Sequence, residues 1–171
     1  MSSRLEWLGS LSLEDAESQL LTCCASRRWA RKMVANRPYA SESAFIEAGA
    51  TGVAELEWSD VEEALSAHPR IGERQAKAET SAQEDKWSKQ EQAGAADADP
   101  KVLAELAAGN VEYENHFGHV FLIRASGRNA AEMLAELRRR LRNSPVAEQA
   151  QVKIELADIT ALRIRKLLGH I

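Results

Sequence analysis

NVEYENHFGHVFLIRASGRNAAEMLAELRRRLRN, residues 110–143, contains the one run in this chain that could seed a sheet. Its centre, HVFLIRA at His119 to Ala125, is strand-like, but periodicity alone does not separate an isolated extended segment from a short buried piece of helix. The flanks are helical. Asp99 followed by Pro100 is an N-cap with a first-turn proline for a helix reaching about His116, and Asn129 opens another through Arg142. A lone strand has no partner for its backbone N–H and C=O groups, so no sheet is inferred. The expectation is an all-α chain with a short extended segment near 119–125.

Outward from this stretch the pattern stays helical. The sequence has only 9 Gly and 4 Pro, and Ala, Leu, Glu and Arg dominate it. Leu13 to Cys24 carries Leu13, Ala16, Leu20, Leu21 and Cys24 near helical spacing. Ser26 caps a helix with Trp29, Met33 and Val34 that stops before Pro38, and Ser41 to Leu56 is a third, weakened by Gly49 and Gly52. Ser59 to Glu62 has the pattern of a capping box for a short helix ending at Ala67. Glu84 to Ala96 reads as helix. Ser144 with Pro145 begins a final helix to about Leu168, whose Ile154, Ala157, Ala161, Ile164 and Leu168 form a core-facing stripe. With 171 residues, no internal repeat and no long linker, a single-domain bundle of seven or eight helices over residues 1–171 is expected.

Composition excludes several classes of function. Charged residues at 28% and hydrophobic ones at 44% are those of a globular protein, not a disordered one. The formal charge of −4 argues against a phosphate-backbone partner. The basic run Arg138, Arg139, Arg140 and Arg142 falls on a helix, where successive residues sit about 100° apart, and so reads as solvated surface rather than one stripe. Cys23 and Cys24 are adjacent, with no CxxC spacing, which fits reduced thiols. The opening MSSRLEWLGSL lacks a signal-peptide apolar region, and no run approaches the roughly 18 apolar residues of a membrane span. No nucleic acid, no membrane and a cytoplasmic location are expected.

The four histidines are unequal. His170 lies at the chain's end, and His116 with His119 make an HxxH pair that lacks the HExxH glutamate, so no metal is expected there. His68 sits in His68-Pro69-Arg70-Ile71-Gly72, where Pro69 drives it out of the helical region and Gly72 permits an unusual backbone angle. That is a rigid loop presenting an imidazole. In Trp87-Ser88-Lys89-Gln90-Glu91-Gln92, the residues Ser88, Glu91 and Gln92 are spaced i, i+3 and i+4; a plain solvated face is the alternative reading from spacing alone. Arg163, in ALRIRKLL, either snorkels to water or pairs with an anion. Residue types alone stop at a helical domain with a candidate His/Glu/Arg pocket.

Four segments in order, HPRIGE at His68 to Glu73, WSKQEQAG at Trp87 to Gly94, the 110–143 stretch and ITALRIRKLLG at Ile159 to Gly169, resemble the OHCU (2-oxo-4-hydroxy-4-carboxy-5-ureidoimidazoline) decarboxylase family. The resemblance runs from about Ala44 onward. It implies an all-helical, usually dimeric, cofactor-free and metal-free carboxy-lyase that gives S-allantoin and CO2 in the last step of urate oxidation. It places the catalytic histidine on His68, the glutamate on Glu91 and the arginine on Arg163, with substrate contacts on Pro69, Ser88 and Gln92. It also implies that the backbone around Gly118, Val120, Phe121, Leu122, Ile123 and Ala125 touches the ureido-imidazoline ring. Two departures stand out: His119 replaces a common apolar residue, and Arg128-Asn129 replaces a common Lys-Ser.

These residue types suit the implied reaction. Losing CO2 leaves electrons on a ring carbon, where an enolate-like anion can hold them. Arg163 can fork onto a carboxylate or carbonyl, and His68 can take the hydroxyl proton or deliver one to a single face. Glu91 can orient His68 or bind ureido N–H groups, while Ser88 and Gln92 recognise the amides. Two rivals remain: a non-catalytic helical interaction module, and a metal-dependent hydrolase using His68, His116 and His119.

Overall fold

Short polar side chains start most of the helices. In this computed structural model, which describes residues 2–72 and 82–170, Ser2, Ser12, Ser26, Ser41, Asp99 and Asn129 each accept a backbone N–H at a helix N-terminus. They open α1 (Ser3–Ser10), α2 (Leu13–Leu21), α3 (Arg27–Ala35), α4 (Glu42–Ala54), α7 (Pro100–Phe117) and α8 (Ala130–Arg140). Between α4 and α7 lie α5 (Trp58–Leu65), α6 (Ala82–Glu91) and a 3-10 turn at Ala93–Ala95, and α9 (Pro145–Leu167) follows α8. The described residues thus form nine α-helices and no strand, so the fold is all-α. Glu73, the last residue of HPRIGE, lies outside the described residues.

Three details differ from the sequence expectation. The additional helix is α1, whose two buried residues, Leu5 and Leu8, are too few to give a readable period. The capping box at Ser59 to Glu62 does not form: α5 begins at Trp58, which puts Ser59 inside the first turn, and Glu62 instead accepts the Trp58 indole N–H at 2.9 Å. In α9 the buried face carries Val152, Glu155, Leu156, Ile159, Thr160, Arg163 and Ile164, while Ile154 is 56% exposed. Of the expected stripe, Ile164 and Leu168 are buried, Ala157 and Ala161 are half-buried and Ile154 faces outward, because the polar Glu148, Glu155, Thr160 and Arg163 occupy inward positions.

The chain divides into two compact units, Met1–Ala64 with Leu156–Ile171, and Leu65–Glu155. In the first, Trp29 is buried and its indole donates to the Gly49 carbonyl at 2.9 Å. Gly49 and Gly52 do not interrupt α4, which runs through both. A Cβ at Gly49 would lie 2.4 Å from Ile164 Cδ1, and one at Gly52 would lie 3.0 Å from Trp29 Cδ1, so both glycines permit close packing. The second unit is built on Leu106, Tyr113, Phe121, Ile123, Met133 and Leu137, with Ile71 packed among them.

Candidate functional site

Within the second unit, the loop after α5 is fixed at several points. The His68 N–H closes a turn onto the Leu65 carbonyl at 3.0 Å, and the side chain that follows from this placement is only 5% exposed. Pro69 is half-buried. Ile71 is anchored in the core, and its carbonyl accepts from the buried Asn110 Nδ2 at 3.0 Å. Arg70 pairs with Glu114 at 2.6 Å. Gly72 has φ +87°, a left-handed angle that disfavours other residues, and its N–H donates to Gln92 Oε1 at 3.0 Å. The loop that Pro69 and Gly72 imply is observed, with contacts on three sides.

That last bond ties the histidine loop to α6. On α6, Glu84, Trp87, Ser88 and Glu91 follow i, i+3, i+4 and i+7, and all four are buried. The solvated-face alternative is thus overturned for Ser88 and Glu91, and Gln92 is half-buried with its oxygen on the loop. Just beyond, a Cβ at Gly94 would lie 2.1 Å from the Arg128 carbonyl oxygen, which is backbone and cannot step aside. Gly94→Ala should therefore cost about 1–3 kcal/mol, read as a lower urea midpoint with an unchanged m-value.

Arg163 belongs to the first unit. It is 3% exposed, so it does not snorkel, and its Nη1 donates to the Thr22 carbonyl at 3.3 Å. Its charge also acts on Cys24. Burial pushes that thiol up to about 11, against the opposing pulls of hydrogen bonds at Ser26 and Thr160 and the positive charge of Arg163. Cys23 and Cys24 are both buried and form no disulfide. At pH 8 the Cys24 thiolate fraction is about 0.001, so iodoacetamide should label it only after unfolding, as peptide mass analysis would show.

The segment after α7 departs from helix as expected. Gly118, exposed and at φ +80°, ends α7, and residues 119–125 run without helical or strand pairing. Phe121, Leu122, Ile123 and Ala125 are buried, and Val120 is half-buried. Side chains take the place of a neighbouring strand. The Leu122 carbonyl accepts from Arg140 Nη1 at 2.7 Å, and the Arg124 N–H donates to Glu155 Oε2 at 3.0 Å. The backbone N–H and C=O groups of Phe121 and Ile123 make no hydrogen bond among the described residues.

Arg140 corrects the reading of the basic run as solvated surface: it is completely buried. Its Nε donates to Glu148 Oε1 at 2.7 Å, its Nη1 lies 3.8 Å from Glu155 Oε1, and its guanidinium stacks 4.6 Å from the centre of the Phe121 ring. Tyr113 donates to Glu148 at 2.6 Å, its phenol pushed well up by burial and by the adjacent Glu148 carboxylate. Asn143 donates to the other Glu148 oxygen at 3.0 Å. A signal for this cluster was present. Arg140 continues the buried Met133 and Leu137 spacing of α8, and Glu148 and Glu155 continue that of Val152 in α9.

Among the described residues no group of three or more His, Cys, Asp or Glu side chains is arranged to hold a metal, so His68, His116 and His119 are not gathered into one. No described helix is long and apolar enough to cross a membrane.

Residues 9–165 match the family model described as OHCU decarboxylase. The chain is 34% identical over 159 residues to the uric acid degradation bifunctional protein TTL of Arabidopsis thaliana, covering 93% of this chain and 49% of that protein. It thus spans about half the length of that curated relative. Among solved structures it is similar to an OHCU decarboxylase crystallised in the presence of (S)-allantoin, with TM-score 0.73, 33% identity, and coverage of 88% of this chain and 97% of the other. It also shares its fold with an (S)-allantoin synthase at TM-score 0.68 and 16% identity, covering 95% of this chain and 53% of that one.

Proposed function

Because the chain belongs to the OHCU decarboxylase family, we propose that it removes CO2 from 2-oxo-4-hydroxy-4-carboxy-5-ureidoimidazoline to yield S-allantoin, without a cofactor or a metal. The observation that carries this reading is a backbone edge offering alternating donors and acceptors at Phe121 and Ile123, in the same unit as a buried imidazole and a buried carboxylate. The substrate's ureido group and ring amide are complementary to such an edge.

The reaction asks the protein to manage one electron pair and three proton movements. Breaking the bond to the carboxylate sends its electron pair through the ring to the imine nitrogen, which takes up a proton and leaves an enol. The ring hydroxyl then gives up its proton as it becomes a carbonyl, and a proton is added to the ureido-bearing carbon. His68 is the general acid/base for these transfers, delivering to one face and so giving one enantiomer. Glu91 orients His68 or binds ureido N–H groups, and Ser88 and Gln92 recognise the amides, with Pro69 shaping the loop. The backbone of Gly118, Val120, Phe121, Leu122, Ile123 and Ala125 contacts the ring. Arg163, buried and permanently charged, is the group suited to the carboxylate and the developing anion. The protein acts as a homodimer in the cytoplasm.

The test is to generate the unstable intermediate from urate in situ and follow its decay and the optical rotation of the allantoin, with and without chelator. Fast, chelator-insensitive formation of the S-enantiomer is expected. Decay no faster than the spontaneous rate would leave an interaction module, and loss of activity with chelator would leave a metal enzyme.

A further inference from the structure

The ion pair of Arg140 and Glu155 reproduces what a neighbouring parallel strand supplies. In a parallel ladder one residue of the partner donates to the carbonyl before the residue opposite and accepts from the N–H after it. Here Arg140 Nη1 donates to the carbonyl of Leu122 and Glu155 Oε2 accepts from the N–H of Arg124, so the pair brackets Ile123 in the same way. Donor and acceptor are held together, with Arg140 Nη1 3.8 Å from Glu155 Oε1. Gln151 supports Glu155 by donating to Oε1 at 3.2 Å, and Glu148 fixes the guanidinium through Nε.

Such bracketing fixes which backbone groups remain for a ligand. In extended backbone the N–H and C=O of successive residues point to opposite edges. With Leu122 and Arg124 committed to the ion pair, Phe121 and Ile123 face the other edge, and these are the residues whose backbone groups have no hydrogen bond among the described residues. We propose that Arg140 and Glu155 are positioning residues for the decarboxylase: they set the register of residues 121–124 so that the Phe121 and Ile123 backbone meets the ureido and ring amide groups of the substrate. Neither residue touches the substrate. The inference rests on the decarboxylase reading and adds a residue pair to it.

Glu155→Gln keeps the size but removes the charge paired with Arg140 and weakens the acceptor for the Arg124 N–H, while Glu148 still holds the guanidinium. With substrate made in situ, its KM should rise about tenfold or more while kcat changes less than about threefold and the pH profile of kcat keeps its shape, because binding geometry is lost and the proton-transferring groups are not. Arg140→Lys, which keeps the charge but not the fork, should show the same split. A wild-type protein without activity would sink the decarboxylase reading itself. An active wild type with a Glu155→Gln KM unchanged, or with kcat reduced and KM unaltered, would overturn the positioning role alone. Should both variants fail to fold, amide hydrogen exchange on the wild type decides, with (S)-allantoin as the probe. The Arg124 amide should be protected with and without the probe, and the Phe121 and Ile123 amides should gain protection only with it. Protection of Arg124 that appears only with allantoin, or none gained at Phe121 and Ile123, would overturn the proposal.

Discussion

Replacing Arg140 by methionine should destabilise the protein by about 3–5 kcal/mol, the usual result of removing one partner from a buried charge cluster. The arginine is fully buried and pairs with two buried carboxylates, those of Glu148 and Glu155, so the change takes its charge from both in a poorly solvated interior. It also removes the donor to the Leu122 carbonyl. Urea unfolding followed by circular dichroism at pH 7 measures the loss. The double variant Arg140→Met/Glu148→Gln should recover part of the deficit. A loss below about 1 kcal/mol would mean that the cluster is dispensable.

His68→Asn should lower catalysed CO2 release by about 10²–10⁴-fold while the far-UV spectrum stays that of the wild type. Asparagine retains a polar planar group in a buried position but cannot carry a proton between two sites. The loop itself should survive, because Asn110, Gln92 and Glu114 hold Ile71, Gly72 and Arg70 independently of the imidazole. Comparing the variant with the wild type on substrate generated in situ, alongside a melting curve, separates a chemical defect from a folding one. Full activity in His68→Asn would remove histidine from the proton transfers.

The fold was legible where local chemistry governs it. Ser26, Ser41, Asp99 and Asn129 start helices in the structure as their positions in the sequence imply, since a cap acts through backbone groups two or three residues away. The family resemblance carried the candidate residues, and burial of Ser88 and Glu91 supplied what spacing could not. What escaped was tertiary. Arg140, Glu148 and Glu155 look like surface residues until each is seen to occupy an inward position on its helix and to satisfy another. Ile154 misled for the mirror-image reason, being apolar at a position that faces outward. A hydropathy pattern assigns polar side chains to water, and it fails where they form a closed internal set.

The Arg140–Glu155 pair also bears on cross-β aggregation. Val120, Phe121, Leu122 and Ile123 form an uncharged, β-prone run of the kind that templates cross-β assembly when an edge is open. By occupying the Leu122 carbonyl and the Arg124 N–H, the two side chains deny one edge of that run to any incoming chain. Variants that break the salt bridge should therefore leave more insoluble material on refolding than equally destabilised variants elsewhere.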